Sequence, residues 1–257
     1  MNKQRIISVV ALVAGMVGLA GCDTGETSRR EEQYQTSFAP APSQPTAKKT
    51  KIADGIWFEV EGKTRRVYVE AKVCFREQGF LLECLLCKND TKEHESILVT
   101  KTKASQIHTA LLAAGAVPGK PVQYKEVKDK IEVIPPTGTR IKVTIEYEKD
   151  GKKVRVPAED WVVDLKSKKK LVHGWVFCGS RFYQDPAVDK VPRYLADEDG
   201  GYICVANLPT ALMDIPVNSP RDNESLEYGP NSKLIPPVGT KVLVILEPVS
   251  DKNPTKK

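Results

Sequence analysis

The chain predicts an α+β fold made of two tandem, duplicated β-rich repeats, with antiparallel sheets each covered by one helix. Three observations carry this. Short runs rich in Val, Ile, Tyr and Phe follow one another with turn signals between them. One stretch in each half has helical character against a background of strands, as in folds that segregate helices to one face of a sheet. Finally, "IPPTGTRIKVTIE" from Ile134 returns as "IPPVGTKVLVILE" from Ile235, 101 residues later, which points to an internal duplication.

At 257 residues, with 40% hydrophobic and 28% charged side chains, the composition is that of a globular protein with one large or two small domains. Residues 1–21 read as a lipoprotein signal peptide. Lys3 and Arg5 open it, Ile6 to Val17 is a short apolar run, and Leu19-Ala20-Gly21-Cys22 closes it. The apolar run falls short of the roughly 20 residues of a membrane span. The closing residues resemble a bacterial lipobox. That implies cleavage before Cys22, diacylglycerol on its thiol and acylation of the new amine. Two or three acyl chains on one residue anchor stably. The expected location is the periplasmic side of the bacterial cell envelope. Asp23 resembles a retention signal for the inner membrane.

Loss of residues 1–21 lowers the formal charge from +6 to +4. So mild an excess on an exported chain argues against nucleic acid as a partner. The Lys166-Ser167-Lys168-Lys169-Lys170 run reads as a solvated loop, with an acidic surface or glycan as the alternative.

Residues 22–52 are rich in Thr, Ser, Glu, Gln, Pro and Lys and read as a disordered tether. Residues 53–150 form the expected first repeat and 151–249 the second, with 250–257 a disordered tail. In the first repeat, two β-rich runs flank Glu61-Gly62-Lys63, a hairpin signal. "GFLLECLLC" and "SILVT" are apolar strands, with a hairpin loop placing Phe75 opposite Phe80. Ala104, Ile107, Leu111 and Ala114 recur at helical spacing, and Gly115 ends that helix. In the second repeat Pro209 and Pro216 bound a shorter helix. "DEDGG" from Asp197 reads as a hairpin turn, with calcium binding the weaker alternative. "HGWVFC" matches the strand ending in Cys87, so Cys87 and Cys178 should occupy equivalent strand ends.

Besides Cys22 there are five cysteines: Cys74, Cys84, Cys87, Cys178 and Cys204. Cys74, Cys84, Cys87 and His94 are the ligand types that zinc takes. Against a metal, Cys84 and Cys87 are three apart on a strand and point to opposite faces. Buried structural thiols are the leading reading, with Cys87, Cys178 and Cys204 structural and no cofactor. A redox disulfide, zinc or an iron–sulfur cluster is the alternative. His94, in "TKEHES", reads as structural, held by Glu93 or Glu95. A third reading is a hydrolase with His94 as base, but no serine elbow, paired Asp or phosphate loop accompanies it.

"KEHESIL", "IHTALLAAGA", "GWVFCGSRF", "YICVANLPTALMDIP" and the two "IPP" turns together resemble the YdjY-domain family of bacterial envelope proteins. The resemblance spans most of residues 56–247. It implies a ferredoxin-like label, although the cysteine spacing departs from the tight run of bacterial ferredoxins. It carries over no functional residue. The leading expectation is a membrane-anchored envelope lipoprotein acting as a non-enzymatic binding or scaffolding module for a protein or glycan partner. The alternative is a thiol redox or metal-binding protein using Cys74, Cys84, Cys87 and His94.

Overall fold

The structure is a computed structural model that describes residues 47–128, 130–222 and 225–249. The signal peptide, Cys22, Asp23, most of the tether and the tail lie outside the described residues.

The first half contains β1 (Lys48–Ala53), β2 (Ile56–Glu61), β3 (Thr64–Val73), β4 (Cys84–Lys88), β5 (Ser96–Thr100), α1 (Ala104–Ala113), β6 (Gln123–Val127), β7 (Lys130–Ile134) and β8 (Arg140–Lys149). The second contains β9 (Lys152–Pro157), β10 (Val162–Asp164), β11 (Trp175–Val176), β12 (Phe182–Tyr183), β13 (Arg193–Tyr194), α2 (Leu195–Asp199), β14 (Gly201–Cys204), β15 (Tyr228–Pro230) and β16 (Lys241–Pro248).

The fold is mostly β, with 44% strand and 12% helix, and this corrects the α+β expectation of one helix covering each sheet. The helix expected between Pro209 and Pro216 does not form. Those prolines leave six residues between them, too few to sustain a helix nucleus. The segment runs extended instead, and bridges Met213 to Ile203 and Asp214 to Val176. The second helix lies earlier, where a hairpin turn was expected. It is the five-residue α2, stopped by Gly200 at φ +82°.

One large sheet organises the molecule, in the order β11-β8-β16-β3-β5-β4-β14, with β2 and β1 beyond one flank of β3 and β9 beside β8. Strands from both halves therefore share one sheet. β3, β8 and β16 alternate, as strands with one buried face do. Val67, Val69, Val143, Ile145, Val244 and Leu246 point inward and belong to the main core. Burying each such side chain contributes about 1.5–3 kcal/mol. From α1, Ile107, Ala110 and Leu111 join the same core.

The hairpin placing Phe75 against Phe80 does not exist as a strand pair. β4 pairs in parallel with β5 and antiparallel with β14, and β5 lies between it and β3. Every residue of "CLLC" is buried, which marks a central strand covered on both faces. The two rings still meet edge to face at 5.2 Å.

Two other expectations change. The tether ends sooner than residue 52, because Lys48–Ala53 pairs with β2 as β1. Lys49 sits 3.8 Å above the Tyr68 ring, an attraction between cation and ring quadrupole that favours docking of this strand. Cys178 and Cys87 are not equivalent. Phe177 N donates to Thr139 O, as Val73 N donates to Thr240 O, both at 2.9 Å. In the frame of the two Pro-Pro-x-Gly-Thr turns, Cys178 thus corresponds to Cys74.

Candidate functional site

β4 separates the sulfur atoms into two groups. On one side Cys84 Sγ lies 3.6 Å from Cys204 Sγ. Cys178 joins them in a small apolar cluster with Leu208 and Ala211. On the other side Cys74 and Cys87 lie close enough for each thiol to shift the acidity of the other. Cys74 Sγ donates to Ser96 O at 3.1 Å. The three-residue step from Cys84 to Cys87 produces this split, since the strand period is two.

The two groups differ in acidity. The neighbouring Cys74 pulls the Cys87 thiol below its ordinary value despite burial. The same closeness, with burial, pushes Cys74 up. Burial raises Cys204 and Cys178. Cys84 is also raised: the Cys204 contact works against this, and burial together with Cys87 and Glu83 outweighs it. Among the described thiols Cys87 alone is pulled towards the thiolate, and it is fully buried.

His94 is not part of either group. It lies in a short 3₁₀ turn, Glu93–Glu95, with its side chain 78% exposed and its Nε2 3.6 Å from Glu95. Glu93 faces the other way. Burial opposes ionisation of its carboxylate, but amides around the turn hold it below the usual range, with Asp90 N at 2.6 Å and Thr91 N at 3.0 Å. Among the described residues no three His, Cys, Asp or Glu side chains converge as a metal set. Cys84 lies in the cluster with Cys178 and Cys204 and the His94 side chain is exposed, so Cys74, Cys84, Cys87 and His94 do not converge on one point. Two of the three "DEDGG" carboxylates are taken up by hydrogen bonds within the fold, and Glu198 pairs with Arg193 at the surface. Asp197 accepts from Ser105 N at 3.0 Å and Ser105 Oγ at 2.6 Å, which caps α1. Asp199 accepts from Thr210 at 2.8 Å.

Of the remaining histidines, His108 is half-buried on α1. Its Nδ1 lies 2.8 Å from Tyr194 OH, which donates to Gly179 O. Burial lowers its pKa.

Two features have no counterpart among the sequence motifs. Asp214 is fully buried. Burial pushes its carboxyl well above the usual range, against a hydrogen bond from Ile215 N. Its Oδ2 and the nearby Asn207 Nδ2 both lack a partner. A lone acid in the apolar run "ALMDIP" was the signal for it.

The second feature is an open cleft of about 900 Å³ on the outward face of β3, β16 and β8. Glu70, Lys72, Lys241, Leu243, Glu146 and Lys153 line it, with the Asn89–Asp90 turn at one rim. These are the residues that strand alternation sends away from the core. Acids and lysines interleave there, so the cleft suits a polar ligand carrying both charges more than a purely anionic one. Arg155 and Lys153 flank Glu146 at 2.7 and 3.8 Å.

The described residues thus form a β-sheet platform with an open, mixed-charge cleft and two sulfur groups astride one strand. The chain belongs to the YdjY domain family, whose model matches residues 58–247. Neither the curated proteins nor the solved structures contain a match to it. No helix among the described residues is long and apolar enough to cross a membrane.

Proposed function

We propose that the chain is a lipid-anchored protein of the bacterial envelope, facing the periplasm, that works without a resident cofactor as a binding or scaffolding module. Cys22 carries the lipid, and Asp23 favours the inner membrane. The cleft over β3, β16 and β8 is the observation that supports this reading. It is broad and open, and charges of both signs line it. A peptide or glycan segment matches that chemistry better than a buried small-molecule substrate does. Photo-cross-linking in cells tests it, with a benzophenone side chain replacing Leu243 on the cleft floor. Discrete adducts that vanish in a Lys72→Glu, Lys241→Glu background support the reading. Absence of adducts, or adducts unaffected by the charge reversal, counts against it.

A second reading is thiol redox exchange at Cys74 and Cys87. It is favoured by their closeness and by the lowered pKa of Cys87. It requires Cys87 to alkylate at neutral pH much faster than Cys204. Equal rates in the folded protein contradict it.

A further inference from the structure

We propose that Cys84 and Cys204 close into a disulfide when the chain meets an exchanging disulfide. This goes beyond the binding reading and beyond the pair of Cys74 and Cys87, which lies on the other side of β4. The two residues are direct cross-strand partners in the antiparallel pairing of β14 with β4. Val205 N donates across to Glu83 O at 2.8 Å, whereas Cys204 N turns away to Met213 O at 2.9 Å. The register shifts between Ile203 and Cys204, and Glu83 O accepts from Ala206 N as well, at 3.2 Å, so the pair sits at an irregular end of the ladder with both side chains in one cluster. The sulfurs already touch at 3.6 Å, and neither residue is exposed at all.

The neighbouring thiol is placed for a different role. Cys178 Sγ donates to Ala211 O at 3.2 Å and Leu212 O at 3.4 Å. Its backbone follows β11, which pairs with β8 rather than with β4 or β14. Cys178 is not a cross-strand partner of either member of the pair. The backbone of Cys204 is fixed independently, since Trp175 Nε1 donates to its carbonyl at 2.8 Å.

The chemistry balances through exchange. A thiolate of one cysteine attacks the incoming disulfide and releases one thiol. The second cysteine then attacks the mixed disulfide and releases the other. The two cysteines lose two electrons and two protons, and the incoming disulfide becomes two thiols. β14 is buried throughout and bridged to Met213 on the side away from β4, so the reagent reaches the pair through local opening of these strands. The link ties strands 120 residues apart in sequence, and closing so long a loop restricts the unfolded chain. Oxidation should raise the urea midpoint.

The test uses the purified full chain, reduced and then equilibrated with graded mixtures of glutathione and its disulfide. After acid quenching, free thiols are alkylated under denaturing conditions and tryptic peptides are weighed. Trypsin leaves Cys84 and Cys87 on one peptide, so the mapping is done on wild type and on Cys87→Ala. The expected result in both is a joined peptide carrying Cys84 and Cys204, with a higher urea midpoint in the oxidised protein. Alkylation of both cysteines across all mixtures, or joining of either to Cys178, Cys74 or Cys87, overturns the proposal. If Cys87→Ala does not fold, fragmentation of the wild-type joined peptide decides between Cys84 and Cys87.

Discussion

Thr144 and Ile245 face each other at the centre of the β8–β16 ladder, and the pairs on either side of them match. Ile145 meets Val244 as Val143 meets Leu246, and Glu146 meets Leu243 as Lys142 meets Glu247. At the offset of 101, each residue of one pair corresponds to a residue of the other. The two "IPP" turns thus feed neighbouring antiparallel strands at the middle of the sheet, and the likeness between the two halves fades away from that centre.

The glycines of those turns give the first prediction. Gly138 and Gly239 both have positive φ, +140° and +88°. A Cβ on Gly138 would collide with the Phe177 carbonyl, whereas one on Gly239 meets nothing within 4 Å. Gly239→Ala should cost about 1–2 kcal/mol for the backbone alone. Gly138→Ala should cost about 1–3 kcal/mol more, from overpacking. Urea unfolding of the two variants measures the difference, and equal costs would show that the turns are packed alike.

Asp214 gives a pH prediction. Burial raises its folded pKa well above the usual carboxylate range. The folded state then holds a proton that the unfolded chain releases above pH ~4. Its contribution is fully present below that unfolded pKa and is lost as pH rises towards the folded one. Asp214→Asn should remove this loss, so stability from pH 5 to pH 8 should fall less in the variant than in wild type. Parallel slopes would mean that Asp214 is ionised in the folded protein.

His94→Ala should change stability by no more than about 0.5 kcal/mol, as expected for an exposed side chain without a close partner. The sequence reading gave His94 a structural role, and its exposure removes the basis for a larger effect. A loss above about 1 kcal/mol in thermal or urea unfolding would point to contacts that the exposed geometry does not have.

What was legible in the sequence was local. Ala104, Ile107 and Leu111 announced α1 by their spacing, and the structure has that helix at Ala104–Ala113. The alternation of "RIKVTIEYEK" fixed which side chains of β8 face outward, and the cleft is built from such positions. The opposite facing of Cys84 and Cys87 followed from strand period alone. Pairing over long range was not legible. "CLLC" reads as half of a hairpin, whereas in the structure β5 and β14 pair with its two edges. The approach of Cys84 to Cys204 depends on β14 reaching β4 across the chain, and no local pattern encodes that. α2 was missed because five residues are too short for periodicity to show.

A tethered binding module requires its tether. Cys22 lies outside the described residues, and its modification is the most direct test of an envelope role. Mass analysis of the N-terminal peptide from membrane-extracted protein is the measurement. The expected species begins at Cys22 and carries diacylglycerol on sulfur and an acyl chain on the amine. Cys22→Ser should leave unprocessed precursor or release the protein into the soluble envelope fraction. A wild-type chain that begins at Met1, or one that begins elsewhere with an unmodified thiol at Cys22, would contradict the lipid-anchored reading.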